Sequence, residues 1–238
     1  MFDTAMSQIE KQKSKPKLPG SSEEQFYKDW LELLRQAVQI ATARIAVLQD
    51  GIMERQGRCP VEHCKWRIKS AASMQEKLRR NHLPPTLEMA RTRVYDGAGV
   101  RVVCPFINDV YLLVQELRQQ PDFEVFKEKD YILHPKENGY RSYHLIIQVN
   151  LQQQQVPVEI QLRTIAMDCW ASLEHQLRYK KHLPESAALS AELKRCADEM
   201  ASTDLSMQAI QEILDLRSGA CMEASLPDKE VFYATLNR

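Results

Sequence analysis

The 238-residue sequence has no net charge, since 32 Lys and Arg balance 32 Asp and Glu. That balance excludes bulk attraction to DNA or to an anionic membrane surface. Glycine is scarce, at 7 residues, and Gly97-Ala98-Gly99 lacks the third glycine of a G-x-G-x-x-G turn. No G-x-x-x-x-G-K-S/T loop occurs either, so any phosphate binding must use side-chain cations and not a glycine cradle. No apolar run approaches the roughly 20 residues that cross a bilayer. Acidic Asp3 without an apolar segment behind it argues against a signal peptide. The cysteines at 59, 64, 104, 169, 196 and 221 are scattered through a chain large enough to fold without crosslinks. Reduced thiols and a cytoplasmic location are expected. Cys59 and Cys64, with His63 beside the second, find no further ligand pair at finger-like spacing, so zinc is not expected.

What is present is organised unevenly. Residues 1–20 carry Lys11, Lys13, Lys15 and Lys17 between prolines and read as a flexible basic tail. One domain is expected over 21–218, with helical ends around an α/β core of about 94–181, and a loose tail over 219–238. Ser21 and Glu24 form a capping-box pattern. Behind it Phe26, Trp30, Leu33, Leu34, Ala37 and Ala41 predict an amphipathic helix to about Leu48. A second helix is expected over Lys69 to Arg80. Val100 to Phe106, Phe123 to Phe126, Tyr143 to Val149 and Val156 to Leu162 read as strands, with a helix from Asn108 towards Pro121. Gln152 to Gln155 reads as a hairpin tip, and Thr164 caps a helix to about Lys181. Leu189, Leu193, Cys196, Met200, Met207, Ile210 and Leu214 make a heptad-like stripe ending near Gly219. The expectation is a helix pair folded on the core, with an oligomer seam as the alternative. The fold class is α/β (α+β), a mixed sheet flanked by helices.

Chemistry concentrates in the segment from Lys129 to His144, where cations, an Asn-Gly turn, Tyr140 and His144 crowd into sixteen positions. Glu159, Gln161 and Arg163 share one face of a strand whose other face is apolar. Asp96 stands at the entrance to another strand. Two carboxylates on one sheet are what Mg²⁺ uses together with water and substrate phosphates. Lys69, Ser73 and Lys77 step by four and are expected along one helix face, as a phosphate-neutralising row or a solvated stripe. Arg67 and Arg101 are planar cations able to stack on a base. Tyr140 offers a ring for the same purpose. His144 is read equally well as a ligand contact or as a satisfied histidine beside the sheet.

These motifs resemble the synthetase domain of RelA/SpoT proteins. The resemblance rests on Asp96-Gly97-Ala98-Gly99-Val100-Arg101, Lys129-Asp130-Tyr131-Ile132, the run from Pro135 to His144 and Glu159-Ile160-Gln161-Leu162-Arg163-Thr164. Arg67-Ile68-Lys69 with Ser73 and Lys77, Met167-Asp168, and the run from Trp170 to His175 with Tyr179-Lys180 add to it. It covers about residues 22 to 217. It implies a nucleotidyltransferase-like mixed sheet and a stand-alone small alarmone synthetase. No His is followed by Asp, so no HD-type hydrolase is expected.

The resemblance implies pyrophosphate transfer from ATP to the 3′-hydroxyl of GDP or GTP, giving ppGpp or pppGpp and AMP. Asp96 and Glu159 are then Mg²⁺ ligands, with Glu159 also helping to deprotonate the hydroxyl. Arg67 and Arg101 hold adenine, and Lys69, Ser73 and Lys77 the ATP phosphates. Tyr140 stacks on guanine, and Lys129, Lys136, Asn138, His144 and Gln161 surround the acceptor. A homo-oligomer, often a tetramer in such enzymes, is implied too. The alternative is a toxin-type relative that acts on the tRNA 3′ CCA end or on adenine nucleotides and is neutralised by an antitoxin. A module that only binds RNA is opposed by the neutral charge.

Overall fold

The computed structural model describes residues 22–151, 153–179 and 187–218. The basic tail, Ser21 of the capping box, Gln152, Lys180 and Lys181, Gly219 and the C-terminal tail lie outside the described residues. The expected first helix is interrupted. Helix α1 covers Ser22–Tyr27, Lys28 turns into the left-handed region at φ 50°, and α2 runs Trp30–Gln56. Apolar periodicity carries α2 beyond Leu48, because Ile52 is as buried as Leu34 and Ala41. It stops at Gly57, whose φ of 71° lets its N–H reach the Met53 carbonyl at 2.8 Å.

Five strands follow in mixed order: β1 (His63–Ile68), β2 (Ala98–Cys104), β3 (Phe123–Asp130), β4 (Tyr143–Leu151) and β5 (Gln154–Thr164). The sheet order is β1-β2-β5-β4-β3, with only β2 and β5 parallel. β1 was not anticipated. It is a short edge strand in which Lys65 and Arg67 interrupt the apolar signal, while Cys64, Trp66 and Ile68 pack partly against the core. The sheet therefore begins earlier in the chain than residue 94. β5 also starts earlier than expected, so Gln154 and Gln155 are strand residues paired with Leu151 and Asn150.

Between strands lie α3 (Ala71–Arg80), α4 (Leu87–Arg93) and α5 (Ile107–Arg118). Ser70 caps α3 by accepting the Ser73 N–H at 3.2 Å, which leaves Lys69 outside the helix and corrects the expected helix start. One face of the sheet, with Val100, Val102, Leu145, Ile147, Val158, Ile160 and Leu162 buried, is covered by α2 and α5. Burial of that face supplies most of the driving force for the fold. The opposite face carries the polar strand residues.

Helices α6 (Ile165–Tyr179) and α7 (Ala187–Ser218) pack on each other at the end of β5. The apolar stripe read from the sequence is not the face α7 buries. Ala197, Ala201, Asp204 and Gln208 face inward, whereas Leu189, Met207, Ile210 and Leu214 are exposed. Small and polar residues win this interface because α7 approaches closely. The Thr164 hydroxyl accepts the Met167 N–H at 3.1 Å and donates to Asp204 at 2.5 Å.

Burial pushes the Asp204 carboxyl up to about 6, against the lowering effects of Thr164 and Arg141. Its folded value lies above its unfolded one, so its stability contribution is complete below about pH 4 and is lost as pH rises through about 6. Asp204→Asn removes that loss. It is expected to stabilise the protein by up to about 3 kcal/mol at pH 7.5. Thermal unfolding followed from pH 4.5 to 7.5 checks this, with the gain shrinking as pH falls.

Candidate active site

Strand register gathers the polar residues on one side of the sheet. Lys65, Arg101, Gln161, His144 and Lys129 are successive partners across five strands; Arg67, Gly99, Glu159, Ile146 and Lys127 form the next row. Residues two apart on a strand share a face, so both rows face away from the core. β3 contributes only because of a bulge. Val125 pairs with Ile147 and Lys127 with Ile146, leaving Phe126 as an extra residue. This reverses the alternation and brings Lys127 and Lys129 to the polar side. Phe126 stays exposed against Tyr95, with ring centroids 4.9 Å apart.

Glu159 is fixed at both oxygens. Gln161 Nε2 donates to Oε2 at 2.8 Å, and His144 Nδ1 lies 3.2 Å from Oε1. The other ring nitrogen of His144 is 2.8 Å from the Tyr140 hydroxyl, which also receives a bond from Arg163 Nη2 at 2.8 Å. Arg163 can only donate, so in the neutral imidazole the phenol proton turns to Nε2 and the ring proton sits on Nδ1, facing Glu159. Arg163 closes the ring with a 3.3 Å bond to Gln161 Oε1. Burial alone raises the Glu159 carboxyl, but hydrogen bonds and charge from His144, the Gln161 amide and the field of Lys77 overcome it. They hold the group at about 2. Glu159 is thus a fixed anion with little proton affinity.

Asp96, two residues before β2, is gripped at Oδ2 by Lys77 at 2.6 Å and by Lys69 at 3.2 Å. Its Oδ1 is buried with no hydrogen-bond partner. The Lys69 loop is held in turn: the Tyr27 hydroxyl donates to the Lys69 carbonyl at 2.7 Å, and the Lys69 N–H to the Gly97 carbonyl at 2.8 Å. Asp96, Glu159, Lys77, Lys127, Lys129 and His144 line one cavity of about 180 Å³, together with Arg93. That is below the 300–1,000 Å³ of whole-ligand pockets, and suits a phosphate cluster with a cation. The donor set fits Mg²⁺: a bare carboxylate oxygen on Asp96, the anionic Glu159, and room for phosphate oxygens. Among the described residues no cluster of three or more His, Cys, Asp or Glu could hold a metal, so water and phosphate oxygens would complete a site built on two carboxylates.

The loop before β4 forms the other wall. Asn138 Oδ1 accepts the Tyr140 N–H at 3.2 Å, so this residue shapes the turn. Gly139 has φ 87°, and a β-carbon there would lie 2.5 Å from Ala197 Cβ. Buried Arg141 pairs with Asp198 at 3.1 Å, so α7 braces the loop from behind. Lys136 Nζ sits 4.8 Å from the ring centroids of both Tyr131 and Tyr140, and the Arg163 guanidinium 5.2 Å from that of Tyr140. A base stacking on Tyr140 displaces one of these cations. Exposed Lys136 is the movable one, because Arg163 is 4% exposed and pinned.

The anticipated residues therefore fall into connected groups. Asp96, Glu159, Lys77, Lys129 and His144 share the cavity, and Gln161 and Tyr140 join it through the Arg163 ring. Lys69 reaches it through Asp96, while Ser73 lies on α3 one turn before Lys77. Arg67 and Arg101 occupy adjacent rows on β1 and β2. Burial, then Arg163, then Arg67 push the Arg101 guanidinium down, against Asp168. Glu159 lies within β5 and not at its end. Sequence reading gave no site role to Arg93, Arg163 or Asp168. Arg93 ends a seven-residue helix with little periodic signal. Arg163 was visible as part of the polar strand face.

Known proteins resemble this chain in sequence and in fold. Residues 66–183 match the family model described as a region found in RelA/SpoT proteins. The GTP pyrophosphokinase YwaC of Bacillus subtilis (strain 168) is 45% identical over 163 residues, spanning 67% of this chain and 78% of that protein. YjbM of the same organism, also a GTP pyrophosphokinase, is 36% identical over 193 residues, spanning 77% and 89%. The crystal structure of the small alarmone synthetase 1 from Bacillus subtilis, bound to its product pppGpp, superposes with a TM-score of 0.70 at 34% identity. The match covers 78% of this chain and 97% of that one. Small alarmone synthetase 2 from that organism gives 0.69 at 39% identity, covering 78% and 98%.

Gly139→Ala tests the bracing of the loop. The substitution adds a β-carbon against Ala197 and a side chain at positive φ, so a loss of about 1–3 kcal/mol is expected in thermal or denaturant unfolding. Adding Ala197→Gly relieves the Ala197 contact but leaves the backbone cost and the 3.3 Å approach to Lys194 Cα. It also costs about 0.5–1 kcal/mol in α7, so at most partial recovery is expected.

Proposed function

The chain belongs to the RelA/SpoT family, and from that premise we propose that it transfers pyrophosphate from ATP to the 3′-hydroxyl of GDP or GTP, forming ppGpp or pppGpp and AMP. The observation that carries this reading is the meeting of Asp96, with its bare buried oxygen, and anionic Glu159 in one lysine-lined cavity. The chemistry places an acceptor oxygen on the β-phosphorus of ATP. A bond forms from the 3′-oxygen to that phosphorus, the bond to the α–β bridging oxygen breaks, and AMP leaves with that oxygen.

Arg67 and Arg101 stack on adenine from β1 and β2. Lys69, Ser73 and Lys77 hold the ATP phosphates, the two lysines passing from Asp96 to the incoming anion. Asp96 and Glu159 would hold Mg²⁺, which would supply charge neutralisation for the triphosphate. Tyr140 stacks on guanine, and Lys129, Lys136, His144 and Gln161 surround the acceptor, with Asn138 setting the turn. A carboxylate near pKa 2 is a weak base, so Glu159 orients the hydroxyl and accepts its proton as the new bond forms, before release to solvent. Most of the rate gain then comes from placement and charge neutralisation. The exposed apolar residues Met207, Ile210, Ile213 and Leu214 of α7 support a homo-oligomer, with a tetramer as the assembly the resemblance implies.

Purified protein incubated with ATP labelled in its β-phosphate and either GDP, GTP, ATP or tRNA tests the assignment. Label is expected in the guanine nucleotide with stoichiometric AMP; label confined to tRNA would replace this reading by the toxin-type one. Asp96→Asn and Glu159→Gln are each expected to lower transfer by at least about 100-fold while thermal unfolding stays cooperative. Full turnover by either variant would remove the metal-ligand assignment.

A further inference from the structure

We propose that Asp168 is a positioning residue that sets both base-stacking platforms at once, so that one carboxylate fixes donor and acceptor relative to each other. The proposal rests on the pyrophosphate-transfer reading for the identity of the two ligands. Its own support is geometric.

Asp168 lies in the first turn of α6, immediately after β5. Its Oδ1 accepts from Arg163 Nη1 at 2.9 Å and lies 3.2 Å from Arg101 Nη1. A single oxygen thus bridges two guanidinium groups that would otherwise repel each other. The two cations serve opposite ends of the site. Arg101 stands beside Arg67 on the donor side, with its side chain 33% exposed. The Arg163 side chain is buried and extends to the Tyr140 hydroxyl at 2.8 Å on the acceptor side. Its Nε is buried without a hydrogen-bond partner, so the bonds from its two terminal nitrogens are what orient it.

Removing the carboxylate charge leaves two neighbouring cations facing each other across a neutral amide. Arg101, the more exposed, is expected to swing away from the sheet. Arg163 loses an anchor that helps hold the Tyr140 ring in place. Both nucleotides are therefore expected to bind more weakly, although Asp168 touches neither. Asp168 makes no bond to Glu159, whose direct partners are His144 and Gln161, so the chemical step is expected to be affected less than binding.

The test measures binding without turnover. Titration calorimetry on the full chain determines the Kd of a non-hydrolysable α,β-methylene ATP analogue with Mg²⁺ and, separately, of GDP. The wild type, Asp168→Asn and Asp168→Glu are compared, alongside kcat at saturating nucleotides. Asp168→Asn is expected to raise both Kd values about 10-fold, as for loss of a charge-assisted pair, and to lower kcat by a smaller factor. Asp168→Glu is expected to recover part of both affinities. Unchanged Kd values in a folded Asn variant would overturn the proposal, as would weakening of one nucleotide alone. A general structural role would instead lower the binding-competent fraction and kcat while leaving Kd unaltered, and that outcome also overturns it. Failure of the wild type to bind either nucleotide would instead overturn the functional reading itself, and this inference with it.

Discussion

The site depends on keeping one partly buried carboxylate ionised. Glu159 sits in the middle of a central strand, where desolvation favours its neutral form. Two hydrogen bonds, one from each side, reverse that preference together with the charges of His144 and Lys77. Their donors, His144 and Gln161, are cross-strand partners. Tyr140 and Arg163 then tie the donors to each other, so neither oxygen of Glu159 can turn away without breaking a closed ring. A closed ring of this kind is rigid, and losing one of its members would be costly in the same surroundings.

Two backbone features make the ring and its cations useful. The bulge in β3 puts two lysines on the side of the sheet where Glu159 lies; unbroken alternation would have turned Lys127 toward the core. The close approach of α7 to Gly139 holds the Tyr140 loop over the same face. Neither feature touches phosphate chemistry directly. Each instead decides which residues can meet, and so converts a list of polar groups into a geometry.

Most of this was legible in the chain, for definable reasons. The strand from Val156 to Leu162 alternates cleanly, and its polar set Glu159, Gln161 and Arg163 was assigned to one face correctly. The mixed sheet and the grouping of Asp96 with Glu159 and the lysines followed from the motif order. What escaped was set by tertiary context. β1 is an edge strand whose charged residues mask its period, and Lys69 was drawn into a helix because Ser70 was not read as its cap. The α7 stripe misled because contact there is made by alanines and hydrogen-bonded polar residues, which carry no hydrophobic signal. The Asp168 bridge joins Arg163, at the end of the preceding strand, to Arg101 on another strand, and no local pattern reports such a bridge.

The central claim is that the protein's own hydrogen bonds and neighbouring charges, and no bound ligand, keep Glu159 charged. The direct measurement is an NMR titration of its side-chain carboxyl carbon in ligand-free protein, assigned by comparison with Glu159→Gln. The account predicts a fully ionised signal at pH 4, where an ordinary glutamate near 4.3 is more than half protonated. A midpoint at or above about 4.3 would contradict it.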